Sequence, residues 1–262
     1  YLASLVDIVF VWHKISGNGN WKKTTIGKGT HSGLAIGDID GDGDNDIVRG
    51  EKWFENSGNG KNWEEHKLAT EVTKGAKKYT GSTAAGLGDF DGDGDLDLAM
   101  SGHDGNKVVW MENTDGKGTF QDNLLFSKGK TMHSLQIADF NNDGKVDIYA
   151  GDTDGKQYIW ENLGGKKFKM HQVAKGPGHE TRVGDVDGDG DIDLAAKPWS
   201  GGRHVYYRNM LVENGGTPVR ISVMRSVKNT FGNVFEGVTS FGGLFDSKGR
   251  SVPHICDHGS HE

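Results

Sequence analysis

Asp38-Ile39-Asp40-Gly41-Asp42-Gly43-Asp44-Asn45-Asp46 sets a carboxylate on every second position with glycine between them, and runs at 89–97, 139–147 and 185–193 follow the same spelling. Oxygen ligands converging from one short loop, with glycines letting the backbone fold round a centre, are what a hard divalent cation such as calcium requires. Carboxylates packed this densely repel one another unless a cation lies among them. The expected ligands are Asp38, Asp40, Asp42, Asp44 and Asp46 in the first run and Asp89, Asp91, Asp93, Asp95 and Asp97 in the second. The third offers Asp139, Asn141, Asp143, Lys145 and Asp147, and the fourth Asp185, Asp187, Asp189, Asp191 and Asp193. About four calcium ions are therefore expected.

The third run tests which positions bind. A lysine ammonium cannot ligate a cation, so Lys145 implies that the seventh position contributes its backbone carbonyl, as it does in the helix-flanked calcium loop. That loop also demands a glutamate at position twelve and a helix on either side. No run has the glutamate, and each is followed by apolar residues of strand character, such as Leu96-Asp97-Leu98-Ala99-Met100 and Val146-Asp147-Ile148-Tyr149-Ala150. The metal loops are thus expected between strands.

The first residues of the runs, Asp38, Asp89, Asp139 and Asp185, are 51, 50 and 46 residues apart. Other landmarks recur in phase. Trp53-Phe54-Glu55-Asn56, Trp110-Met111-Glu112-Asn113, Trp160-Glu161-Asn162 and Tyr206-Tyr207-Arg208-Asn209 follow the runs, and further strand-like segments open at Trp21, Trp63, Phe120 and Phe168. A unit of this length with several strands is the signature of a propeller blade. With 42 glycines, 4 prolines and no sustained helical periodicity in 262 residues, an all-β chain of short strands and tight turns is expected. The phase of Trp53, Trp110 and Trp160 assigns them to the core between blades, and that of Asn56, Asn113, Asn162 and Asn209 to turns. Val6-Asp7-Ile8-Val9 with Trp12 reads as a worn repeat without its aspartates, and no metal is expected there.

The formal charge of −7 misleads, because the four runs hold 18 of the 37 acidic residues and four dications bring the loaded chain close to neutrality. Neither nucleic acid nor membrane insertion is implied. One cysteine, Cys256, excludes an internal disulfide. Weak calcium modules fill at extracellular concentrations, so a secreted or cell-surface setting is expected, with the chain as a processed piece of a larger exported protein.

The order of apolar strand, Asp-x-Asp-x-Asp-Gly-x-x-Asp loop, apolar strand and Trp-x-Glu-Asn strand resembles the FG-GAP/VCBS repeat family, which includes the calcium-bearing β-propeller of integrin α chains. The resemblance covers roughly residues 5–215. It implies a β-propeller of about 50-residue blades, five in all or part of a seven-bladed ring, over residues 1–216, with 217–262 as a divergent closing segment or tail. In the family's blade the innermost strand leads into the metal loop, so the start of each inner strand lies at the opposite end. His31, His133 and His179 then ring the axis, joined by His103, Glu180, Arg182, Asp152, Trp199 and Arg203.

Three readings of that basin are open. It is a sugar-binding surface of a lectin-like or adhesion module, with Trp199 and Tyr79 stacking on pyranose faces while His, Asp and Arg bond hydroxyls. Alternatively it is a polysaccharide lyase site, with a histidine, His133 or His179, or a tyrosine as base and Arg182, Arg203 or Lys197 neutralising a uronate. A three-histidine set also suits a transition metal, and histidines at strand starts can simply satisfy backbone groups between blades. Carbohydrate or another extracellular ligand is the expected partner, and the oligomeric state is left open.

Overall fold

Each aspartate run is the connection of a β-hairpin. Gly37 pairs with Asp46, Gly88 with Asp97, Ala138 with Asp147 and Gly184 with Asp193, so the residue before a run always faces its ninth position. The register is identical in the four repeats, because turn length fixes which residues oppose one another and a slip of one would turn every side chain to the wrong face. In the computed structural model the described residues are 9–14, 19–28, 33–58, 60–70, 72–74, 83–103, 105–200, 204–212, 214–215, 227–228 and 234–235. Every regular element among them is a strand.

Three four-stranded antiparallel sheets follow in chain order. The first blade is β3 (Ala35–Gly37), β4 (Asp46–Val48), β5 (Lys52–Asn56) and β6 (Trp63–Lys67). The second is β7 (Thr83–Gly88), β8 (Asp97–Gly102), β9 (Val108–Asn113) and β10 (Phe120–Phe126). The third is β11 (Met132–Ala138), β12 (Asp147–Asp152), β13 (Lys156–Asn162) and β14 (Phe168–Lys175). A fourth sheet has three strands, β15 (Glu180–Gly184), β16 (Asp193–Lys197) and β17 (Val205–Tyr207). Ahead of them β1 (Val9–Lys14) pairs with β2 (Trp21–Gly27), and in the C-terminal region β18 (Val227–Lys228) pairs with β19 (Val234–Phe235). Within each sheet the spatial order is the chain order, and inner strands β3, β7, β11 and β15 lie beside one another in succession. The repeats are thus propeller blades in an all-β chain. Apart from β18 and β19, the tail expected from residue 217 onward lies outside the described residues.

Sequence pattern explains the layering. The second strand of a blade is covered on both faces, and β8 and β12 are buried along their whole length, which suits their near-continuous apolar composition. The outer strands β10 and β14 have no buried residue and expose part of their length to solvent. Separate cores form where blades face each other. Ile39, Val48 and Trp53 of the first blade pack with Leu98, Met100 and Met111 of the second. Phe90 and Trp110 of the second pack with Leu135, Ile148 and Trp160 of the third, and Phe140 and Tyr149 of the third meet Leu194 of the fourth. Val9 of β1 packs on Ile47 and Phe54. Trp53 and Trp110 therefore lie in the layer toward the following blade, whereas Trp160, two residues from its asparagine where they stand three, lies in the layer toward the preceding one. No helix among the described residues is long and apolar enough to cross a membrane.

Candidate functional site

The aspartate runs are laced by their own backbone. The first-position carboxylate accepts amides further round the loop, with Asp89 taking those of Gly92 at 2.7 Å and Gly94 at 3.1 Å, and Asp185 those of Gly188 at 2.6 Å and Gly190 at 3.1 Å. Third and fifth positions each accept the amide two residues on, as in Asp91 with Asp93 at 3.1 Å and Asp42 with Asp44 at 2.8 Å. Glycines at positions four and six of the second run hold φ of +87° and +100°, a region open to glycine, so the chain turns back on itself there.

The ninth aspartate has a second duty. In every run one of its oxygens accepts the amide of position two, and the other accepts the amide of the asparagine that closes the aromatic strand. For Asp97 these donors are Phe90 at 3.0 Å and Asn113 at 2.8 Å, and for Asp147 they are Phe140 at 3.0 Å and Asn162 at 2.7 Å. Asp46, Asp97 and Asp193 are 0 % exposed. Burial pushes Asp46, Asp97 and Asp147 up to about 6, against the backbone donors that draw them down. Burial does the same to Asp95, helped by the charges of Asp93 and Asp97. A buried carboxyl so crowded is relieved by a cation.

Donor geometry fits such an ion in three runs. Asp38, Asp40 and Asp42 bring carboxylate oxygens within 4.8 Å of one another, as do Asp89, Asp91 and Asp97, and Asp185, Asp187 and Asp193. An oxygen of Asp38, of Asp95 and of Asp191 is buried without a hydrogen bond. The seventh position joins none of these triads. The third run departs further. Its third position is Asn141, and the Lys145 ammonium lies 2.6 Å from Asp143. Burial alone would raise Asp143, but the Lys145 side chain and amide donate to it and hold it below the usual carboxylate range. One cluster escaped the sequence reading. Glu55, Glu64 and His66 converge on the outer hairpin of the first blade, where the Glu55 carboxylate lies 2.8 Å from His66 and the His66 ring stacks on Trp53 at 4.3 Å.

At the other end of the inner strands lie the histidines expected to ring the axis. His133 is the second residue of β11, six residues and about 20 Å from the first aspartate of the run that follows the strand. His103 follows β8 and His179 precedes β15, and the three rings form one pile across three blades, stacked for His133 and His179 and tilted for His103 and His133. Ring centroids are 3.5 Å apart for His103 and His133 and 3.7 Å for His133 and His179. Trp199 stands edge-on to the pile, 4.6 Å from His179 and 6.0 Å from His133. Glu180 lies 4.0 Å from the His179 ring and 3.4 Å from the Lys197 ammonium.

The stack is a buried seam and not an open rim, since His103 and His179 are each 2 % exposed. Trp199, 61 % exposed, is the part that meets solvent. Asp152 is 1 % exposed and accepts the Lys156 amide at 2.8 Å, capping the turn into β13. Arg182 donates to the Thr181 carbonyl at 3.1 Å. His31, Tyr79 and Arg203 lie outside the described residues.

The asparagines do more than the turns assigned to them. Asn113 Oδ1 accepts the Gly118 amide at 2.9 Å, as a turn former should. Its amide nitrogen also donates to Ile39 of the preceding blade at 2.9 Å, and Asn162 reaches Phe90 at 2.8 Å and Asn209 reaches Phe140 at 2.9 Å in the same way. The hint available in the sequence is that an asparagine closes the aromatic strand after every run, 10, 16, 15 and 16 residues past its ninth aspartate.

A family described as FG-GAP-like repeat matches residues 89–150 and 139–196, each match opening on the first aspartate of a run. No curated protein matches the chain. Among solved structures the chain is similar to one described as the crystal structure of BBS1N in complex with ARL6DN, soaked with lead, at 14 % identity and a TM-score of 0.42. That likeness covers 74 % of this chain and 60 % of the other, so this chain spans less than two thirds of it. Two successive aspartate loops in the right phase, each between antiparallel strands of a four-stranded blade, identify residues 89–196 as FG-GAP-like repeats.

Proposed function

We propose that the chain is an extracellular, calcium-stabilised propeller module that binds carbohydrate at the histidine end of its inner strands. Calcium fits the runs on chemical grounds: the donors are hard oxygens, they come from one flexible loop, and the triads supply carboxylates in the number a weak extracellular site uses. The ions hold the loop ends of the blades, and the ligand meets the other end.

The observation that carries the ligand reading is Trp199, an exposed indole set against a buried stack of imidazoles. An aromatic face beside polar groups suits the apolar side of a pyranose ring, while Glu180 and Lys197 offer an acceptor and a donor for hydroxyls. Titrating the full chain with neutral and uronate-containing oligosaccharides should change its tryptophan fluorescence. Trp199→Ala is expected to lose that change and at least tenfold in affinity, with calcium-dependent melting kept. Undiminished affinity in the variant would remove the basin from the reading. Growth of unsaturated-uronate absorbance during the titration would replace simple binding by the lyase reaction.

A further inference from the structure

The residue just before the closing asparagine is Glu55, Glu112 or Glu161 in the first three blades and Arg208 in the fourth. The asparagine is tied to the ninth aspartate in each blade, so its neighbour always stands beside the same part of the run. Glu161 accordingly faces position three of its run, 3.5 Å from the Asn141 amide nitrogen. At that place in the fourth blade the Arg208 guanidinium reaches Asp187, at position three, through Nε, and Asp189, at position five, through Nη2 at 3.3 Å. Guanidinium is planar, permanently charged and suited to gripping two carboxylates at once.

The other runs differ. In the first, Asp38, Asp40 and Asp42 accept hydrogen bonds from backbone amides of their own run, and among the described residues no lysine or arginine bonds to them. In the second and third, a lysine reaches one carboxylate each: Lys166, from the β13 to β14 turn of the next blade, lies 3.1 Å from Asp91, and Lys145 lies 2.6 Å from Asp143. Only the fourth run has a cation that bridges two of its carboxylates among the described residues.

We infer that Arg208 is a built-in counter-ion of the fourth run, so that this run keeps its shape without a dication and takes calcium more weakly than the first. Calcium entering the fourth run competes with a guanidinium for Asp187 and Asp189. In the first run, where Glu55 stands in the same place, no guanidinium spans two of Asp38, Asp40 and Asp42 among the described residues. The four runs are therefore unequal sites, with the first filling before the fourth as calcium rises.

Calorimetric titration of the full chain with calcium chloride tests this. The wild type should show a tight class and a weaker class of sites, and Arg208→Glu should move one site from the weaker class to the tight one. Losing two half-exposed ion pairs corresponds to roughly tenfold in that site's affinity. Arg208→Gln, which removes the charge without adding one, should give a smaller gain and lower the melting temperature measured in chelator. The reciprocal Glu55→Arg should weaken the first run by a similar factor. Four equivalent sites in the wild type, an isotherm unchanged in Arg208→Glu and Arg208→Gln alike, or no calcium binding at all would each overturn the inference.

Discussion

Asn113 shows how much one side chain can organise. Its backbone amide holds Asp97, its side-chain oxygen takes the Gly118 amide, and its side-chain nitrogen spans 74 residues of sequence to the Ile39 carbonyl in the preceding blade as well as reaching Leu96. The residue is 0 % exposed, so each lost bond leaves a buried group to desolvate. Asn113→Ala is expected to cost about 3 kcal/mol, at roughly 1 kcal/mol for each of its side-chain bonds. Scanning calorimetry would read this as a fall in melting temperature on the order of 10 °C. A loss within 1 °C would mean that the bridge between blades is energetically idle. The aspartate at position nine was legible in the sequence as a ligand, because its spacing is that of a cation loop. Its service as the clasp for that asparagine was not legible, since the two meet only when the third strand folds back along the second.

At the scale of elements, the blades are kept apart by a fixed distance that glycine sets on the inner strands. A Cβ on Gly86 of β7 would fall 2.4 Å from Cγ1 of Ile137 and 3.2 Å from Leu135, both on β11. These are branch atoms inside a packed layer, and they have little room to yield. Gly86→Ala is therefore expected to destabilise by about 1–3 kcal/mol, the usual cost of overpacking a core. Denaturant unfolding checks it, with a lowered midpoint at unchanged slope as the expected result. Unchanged stability would show that the second and third blades can slide apart freely. Strand existence and order were legible here from apolar segments and turn residues. Close approach of inner strands was not, because a glycine in a strand reads equally as a bulge, a bend or a contact.

At the scale of the whole molecule, the proposed calcium sites tie stability to both the ion and pH through the same carboxyls. Without calcium, Asp46, Asp97 and Asp147 are held at about 6 by burial, above the ordinary 3.8. A raised carboxyl favours the folded state while it is protonated. That contribution is complete below about pH 4 and is lost as the pH climbs through about 6. In chelator the melting temperature should thus fall between about pH 4 and 6 and then level off. Saturating calcium should reverse the slope over that interval, because only the ionised carboxylates bind the ion, and should raise the melting temperature at neutral pH. Identical melting curves with and without chelator at neutral pH would remove calcium from the structural account. By itself the sequence determined the four oxygen-rich loops, the strands that flank them and the repeat that makes blades, since all of these follow from spacings of two, nine and about fifty residues along one chain. Tertiary structure alone decided that His103, His133 and His179 form one stack, that asparagines sew neighbouring blades together, and that Arg208 grips the fourth run. Each of those depends on groups brought together from separate strands or separate blades, and linear spacing carries no record of distances fixed by packing across a sheet.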